Sequence, residues 1–269
     1  MTAEQHLQWV SDHLNQGLIW LKKQCVNDGR LSNARLDEHQ QATYDLALST
    51  SEIRCAQAYL ETARSTSDLN ETMAETFAAS MIQSTLNRLL LSPQDVGLTR
   101  AALAAPDALE AFLDAHLRAE HIAKIGADLI TVNGETQGRG LPEAQQMIAD
   151  TFRQFADDVV APLAESIHRE DQIIPDAILE GLKQLGCFGL SVPEQYGGLL
   201  PDDREDTLGM IVVTEELSRV SLGGAGSLIT RPEILSRALI EGGTPAQKAD
   251  WLPGIAAGET LCAVAITEP

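Results

Sequence analysis

Apolar residues recur along this chain at steps of three and four, the mark of helices that each bury one face. Over residues 4–23, Leu7, Val10, Leu14 and Leu18 share such a face, Trp9 and Trp20 add bulk, and Asn27-Asp28-Gly29 signals a stop and turn. The next pattern is the clearest of the front half. Ala42, Leu46, Ser49, Ile53, Ala56, Leu60 and Ala63 form a narrow stripe in which small residues alternate with large ones, so a neighbouring helix can approach closely. After Ser65-Thr66-Ser67-Asp68, a helix over 71–91 carries Met73, Phe77 and Met81 on one face and ends at Ser92-Pro93. Pro106-Asp107 opens another, which carries Leu109, Phe112, Leu113 and Leu117 and runs on to about Ile130.

The polar, glycine-rich stretch from Asn133 to Gly140 divides the chain. Beyond it, Pro142 takes a first helical position, and Ile148, Phe152, Phe155 and Val159 form the following apolar stripe. A shorter helix with Ile178, Leu182 and Leu185 is capped by Gly186. Leu190-Ser191-Val192-Pro193 reads as extended and Tyr196-Gly197-Gly198 as a turn. Residues 206–220 read as a helix with Met210, Val213 and Leu217 inward. Gly223-Gly224-Ala225-Gly226 then leads into a helix through Leu239, and a last short helix runs from Thr244 to near Pro253. The end of the chain, from Leu261, is apolar and β-leaning and stops in mid-element, which marks this chain as the front part of something longer. The predicted fold class is all-α, two helical-bundle units ending at the first strand of a truncated β-domain. The expected division is 1–132, a helical front unit; 133–140, a linker; 141–260, a second helical domain; and 261–269, the start of the β-domain.

Composition adds bounds. At 44% hydrophobic and 22% charged the chain is of globular type, and with 4% aromatics it favours packed helices over a β-sandwich. A formal net charge of -20 repels phosphate backbones and anionic lipids, which argues against nucleic-acid and membrane-surface partners. Cys25, Cys55, Cys187 and Cys262 are scattered with no CxxC pair, as expected of reduced thiols in a cytoplasmic protein. The first residues lack the basic start and apolar core of a secretory signal.

Candidate chemistry is sparse. His116 and His121 are five apart, on different faces of one helix, and are not expected to bind metal. The glycine run at 223–226 precedes a helix, so it either aims backbone N–H groups at an anion or serves as a flexible join or a point of close helix packing. Arg231, just after Ser227 and Thr230, is either a clamp for a carboxylate or a surface arginine.

Taken together, several of these segments are similar to one known family. Leu185-Gly186-Cys187-Phe188-Gly189-Leu190-Ser191-Val192-Pro193-Glu194-Gln195-Tyr196-Gly197-Gly198, Glu215-Glu216-Leu217-Ser218-Arg219, Gly242-Gly243-Thr244-Pro245-Ala246-Gln247-Lys248 and Cys262-Ala263-Val264-Ala265-Ile266-Thr267-Glu268-Pro269 stand in the order found in acyl-CoA dehydrogenases. The resemblance spans residues 141–269 and implies FAD, an acyl-CoA substrate, α,β-dehydrogenation, an electron-transfer flavoprotein as partner and a homo-oligomer. It implies that Val264, Ile266 and Thr267 face the flavin and that Ser227 and Thr230 line the acyl pocket, with the catalytic base beyond residue 269. The long front unit, together with Ser227-Leu228-Ile229-Thr230-Arg231-Pro232-Glu233, resembles the methylsuccinyl-CoA dehydrogenase branch, in which Arg231 would hold the substrate's free carboxylate. The helices around Tyr44–Ala63 and Thr72–Leu91 also resemble the family's own C-terminal bundle, which predicts that they pack antiparallel. An ordinary acyl-CoA dehydrogenase and a non-catalytic helical interaction module are the other readings.

Overall fold

The structure, a computed structural model, describes residues 2–27, 29–134, 139–203, 206–263 and 265, without the side chain of Arg231. It divides into two compact units, 1–140 and 141–269. Both are helical. Among the described residues the strand content is one two-residue hairpin, β1 (Val26–Asn27) paired antiparallel with β2 (Arg30–Leu31). No helix among them is long and apolar enough to cross a membrane.

In the first unit, α1 (Ala3–Cys25) starts at a reciprocal capping box between Thr2 and Gln5. Its buried stripe is Leu7, Val10, Leu14, Gly17, Leu21 and Cys25. Leu18, expected inside, is exposed, because Gly17 takes the contact position: a Cβ there would lie 2.8 Å from Leu46. After the short α2 (Asn33–Glu38), α3 (Gln40–Ala63) buries Ala42, Leu46, Ser49, Ile53, Ala56, Leu60 and Ala63, the seven positions its spacing predicts. α4 (Asp68–Leu91) is capped by Ser67 and runs back antiparallel along α3. Tyr59 Oη donates to Asn70 Oδ1 at 3.1 Å at one end of this hairpin, and Arg88 Nη1 donates to Ser49 Oγ at 2.6 Å at the other. Arg88 also grips Glu52 with two bonds of 3.0 and 3.2 Å. The face of α4 differs from expectation. Met73, Phe77 and Met81 are half-buried, and the inner face is Asn70, Ala74, Ala78, Ile82, Thr85 and Leu89. Small residues go inside where two helices approach closely, and the larger ones cover the seam.

The helix expected to run on to Ile130 is two, α5 (Asp107–Leu117) and α6 (Ala119–Thr131), broken at Arg118, whose backbone is extended at φ -65°, ψ 140°. This reverses the expected separation of His116 and His121: their ring centroids are 5.4 Å apart, edge to face.

In the second unit, α7 (Glu143–Phe155) begins after Pro142, which caps it from outside rather than occupying its first turn. A π-helical turn, Ala156–Val160, joins it to α8 (Ala161–Arg169), and the Ala161 N–H reaches the Ala156 carbonyl. Pro162 has no N–H to give, and a widened turn ahead of it accommodates the ring without ending the helix. α9 (Asp176–Gln184) stops at Leu185, followed by Gly186 in the left-handed region at φ 68°. The segment expected to be extended over 190–193 is instead a chain of tight turns with one bridge, Pro193 to Leu200. α10 (Thr207–Ser221) is capped by Asp206, whose Oδ1 accepts from Gly209 N at 2.9 Å. α11 (Ser227–Gly242) and α12 (Pro245–Ala256) complete the unit. α12 continues past Pro253, because Leu252, Ile255 and Ala256 are all buried with Val192 in a small cluster. The main core gathers Phe152, Val160, Ile178, Leu182, Phe188, Leu217 and Ile229. Residues 261–263 and 265 take no regular structure, and the rest of the predicted strand lies outside the described residues.

Candidate functional site

The residues expected to meet substrate sit at the corner where α10 turns into α11. Ser221 is extended at φ -156°, ψ 105°, and its Oγ accepts from Gly224 N at 2.9 Å. That bond caps a second π-helical turn, Leu222–Gly226, from which α11 continues. Gly224 and Gly226 pack closely here, whereas Gly223 has open space around it. A Cβ on Gly226 would lie 2.1 Å from Ser218 Oγ and 3.1 Å from Ser218 Cα, so a larger residue here would force the Ser218 side chain to turn.

Ser227 and Thr230 lie on α11 one turn apart, both half-buried. Each hydroxyl donates to the main chain, Ser227 Oγ to Gly223 O at 3.3 Å and Thr230 Oγ1 to Ser227 O at 2.9 Å. With their protons engaged, the oxygens still offer lone pairs to a donor. Arg231 follows on the same helix, its side chain outside the described residues. Val264, Ile266 and Thr267, the positions that the resemblance gives to the flavin, also lie outside them. Beside the corner, a cavity of about 640 Å³ is walled by the Ser221–Gly224 turn and by Glu165, His168, Asp171 and Gln172. It does not include Ser227 or Thr230.

Behind the corner lies a carboxylate whose burial the sequence reading passed over. Glu216 is wholly inaccessible to solvent. Arg153 of α7 donates to it through Nε at 3.0 Å and Nη2 at 3.4 Å, and Arg219 adds Nε at 3.4 Å. Arg219 also reaches Asp157 in the first π-helical turn at 2.6 Å. A legible signal existed: Glu216 stands three residues after Val213 and one before Leu217, on the inward stripe, with an arginine three residues later. These ion pairs fix α10 to α7, and hence the corner that carries Ser227.

Burial pushes the Cys187 thiol far above its ordinary value, which makes it inert. Among the described residues, no group of three or more His, Cys, Asp or Glu side chains is placed to hold a metal ion. Ser227 and Thr230 share one half-buried helix face, near the buried ion pairs of Glu216.

Sequence comparison identifies the kind of helical domain to which this corner belongs. Residues 142–259 match the family profile described as acyl-CoA dehydrogenase, N-terminal domain, so this part of the chain is that family's N-terminal domain. The chain is 34% identical over 267 residues to (2S)-methylsuccinyl-CoA dehydrogenase of Cereibacter sphaeroides, a match that covers 93% of this chain and 47% of that protein. It is 31% identical over 127 residues to an acyl-CoA dehydrogenase of Bacillus subtilis (strain 168), covering 47% of this chain and 32% of the relative. It is 30% identical over 129 residues to acryloyl-CoA reductase (NADH) of Anaerotignum propionicum, covering 48% and 31%. The chain thus spans about half, or less, of the length of these relatives.

Proposed function

We propose that this chain is the front part of a flavin-dependent acyl-CoA dehydrogenase that converts (2S)-methylsuccinyl-CoA to mesaconyl-CoA. The observation that carries the reading is the 34% identity that runs through both units, over 93% of the chain, to a protein bearing that name. The match to the Bacillus subtilis dehydrogenase covers only 47% of the chain, about half the share covered by the methylsuccinyl-CoA dehydrogenase.

FAD, when bound, supplies the acceptor for the two electrons leaving the Cα–Cβ unit of the thioester. Val264, Ile266 and Thr267 are the residues assigned to hold it, Thr267 through its hydroxyl and backbone amide. Ser227 and Thr230 wall the acyl group. Arg231 holds the free carboxylate of the dicarboxylic acyl chain and so orients the Cα–Cβ bond. The catalytic base is assigned to sequence outside residues 1–269, and the chain alone is expected to be inactive. An electron-transfer flavoprotein is the expected electron acceptor, in a cytoplasmic homo-oligomer. We further assign residues 1–132 as an extension of the family's domain, 133–140 as its linker and 261–269 as the start of the following domain.

The test is an anaerobic absorbance spectrum of the full-length protein before and after adding methylsuccinyl-CoA. Bleaching of the flavin band supports cofactor, reaction class and substrate together. Bleaching by straight-chain acyl-CoAs alone rejects the dicarboxylic substrate and favours an ordinary acyl-CoA dehydrogenase. No flavin band after incubation with FAD rejects the enzyme reading in favour of an interaction module. In the active protein, Arg231→Ala is expected to lower kcat/KM for methylsuccinyl-CoA about a hundredfold, the roughly 3 kcal/mol of a lost charge-assisted hydrogen-bond pair. Butyryl-CoA turnover, which needs no carboxylate clamp, should change less than about threefold in the same assay.

A further inference from the structure

The first unit holds a row of three histidines that the proposed chemistry does not use. His6 of α1 is 1% exposed, and its Nδ1 is buried without a hydrogen-bond partner. Its ring stacks on Phe112 of α5, centroids 4.9 Å apart and planes at 28°. Phe112 in turn meets His116 at 4.3 Å, and His116 meets His121 of α6 at 5.4 Å. We propose that this row makes the first unit acid-sensitive: when His6 takes up a proton, the start of α1 comes away from Phe112.

Among the described residues, no hydrogen-bond partner reaches His6 Nδ1. From α4, Glu75 is engaged by His116, Oε2 to Nε2 at 3.3 Å, and Thr76 Oγ1 by His121 Nε2 at 2.9 Å. From α3, Arg64 is paired with Glu4 of α1. The groups that act on His6 are themselves positive, or become so in acid: the chain's amino group and His116. Burial first, then those two charges, hold the His6 imidazole below its ordinary value of 6.5. A neutral ring fills the slot as a flat apolar plate against Phe112, whereas an imidazolium would sit buried with an unanswered N–H.

The sign follows from linkage. A histidine whose value falls on folding is neutral in the closed state and takes its proton when α1 opens. The stability it contributes is complete above pH 6.5, the unfolded value, and drains away as pH falls below that toward the folded value.

The experiment is hydrogen exchange by mass spectrometry on the full-length protein between pH 5 and 8, followed in peptides from residues 3–14 and corrected for intrinsic exchange. In the wild type, opening of this segment should increase below pH 6.5 by up to about tenfold per pH unit, the slope of one proton. His6→Phe, which keeps the stack, should flatten that slope, whereas His121→Gln should retain it. The same slope in His6→Phe as in the wild type overturns the proposal. A direct titration of His6 by ¹⁵N-resolved NMR guards against a variant that does not fold: a midpoint at or above 6.5 overturns the proposal as well, and one below it supports it.

Discussion

Gly198→Ala is expected to cost the second unit more than about 3 kcal/mol, beyond the usual range for overpacking, and to leave it largely unfolded at ordinary temperature. A Cβ at this position would stand 1.8 Å from the Val192 carbonyl oxygen and 2.4 Å from its carbon. The obstacle is main chain, and that main chain is tied from both sides. Leu200 N donates to the same Val192 oxygen at 3.0 Å, Leu199 N to Gly189 O at 2.9 Å and Glu194 N to Leu200 O at 2.9 Å. Val192 cannot retreat, because its side chain is fully buried against Leu252 and Ile255. Urea unfolding followed by far-UV circular dichroism reads the loss. Gly223→Ala is the control: nothing lies within 4 Å of its added Cβ, so a shift under about 0.5 kcal/mol is expected. Equal midpoints for Gly198→Ala and the wild type would mean that the turn is not held as described.

The contrast between these glycines also shows how far the sequence could be read. It marked Tyr196-Gly197-Gly198 as a turn, and the turn is there, with Gly197 at φ 81°. It could not distinguish Gly197, needed for its dihedral angle, from Gly198, needed because another strand of chain passes against it. That distinction rests on a contact between residues that periodicity does not relate. The same limit explains the helices. α3 was legible to the residue because its buried face is a strict stripe. α4 was not, because alanines occupy its inner face and the larger Met73, Phe77 and Met81 drew the eye to the seam. The break at Arg118 has neither glycine nor proline to announce it, and with it went the approach of His116 to His121. At the candidate site, Ser227 and Thr230 do share a half-buried helix face, but their hydroxyl bonds to the main chain are not visible in a residue pattern.

Glu216→Ala should cost about 3 kcal/mol, the low end for breaking a buried ion pair, because Arg153 keeps 30% of its side chain exposed and can turn to water. The carboxylate itself has no such exit, being fully buried and bonded by both Arg153 and Arg219. Its removal opens a cavity between α7 and α10 and frees the start of α11 to drift with Ser221 and Gly226. Glu216→Gln separates charge from shape: it keeps the volume but leaves two guanidinium groups facing an amide, and it should recover less than half of the lost stability. The pair itself is isolated by a double-mutant cycle. Arg153→Met with Glu216→Leu replaces charges with apolar groups of similar size and should be more stable than Glu216→Ala alone, since neither desolvated charge remains. Additive losses in that cycle would show that the two residues do not act through each other. In that case the corner carrying Ser227 and Thr230 is held by the apolar core, the Ser221–Gly224 cap and the Arg219–Asp157 pair.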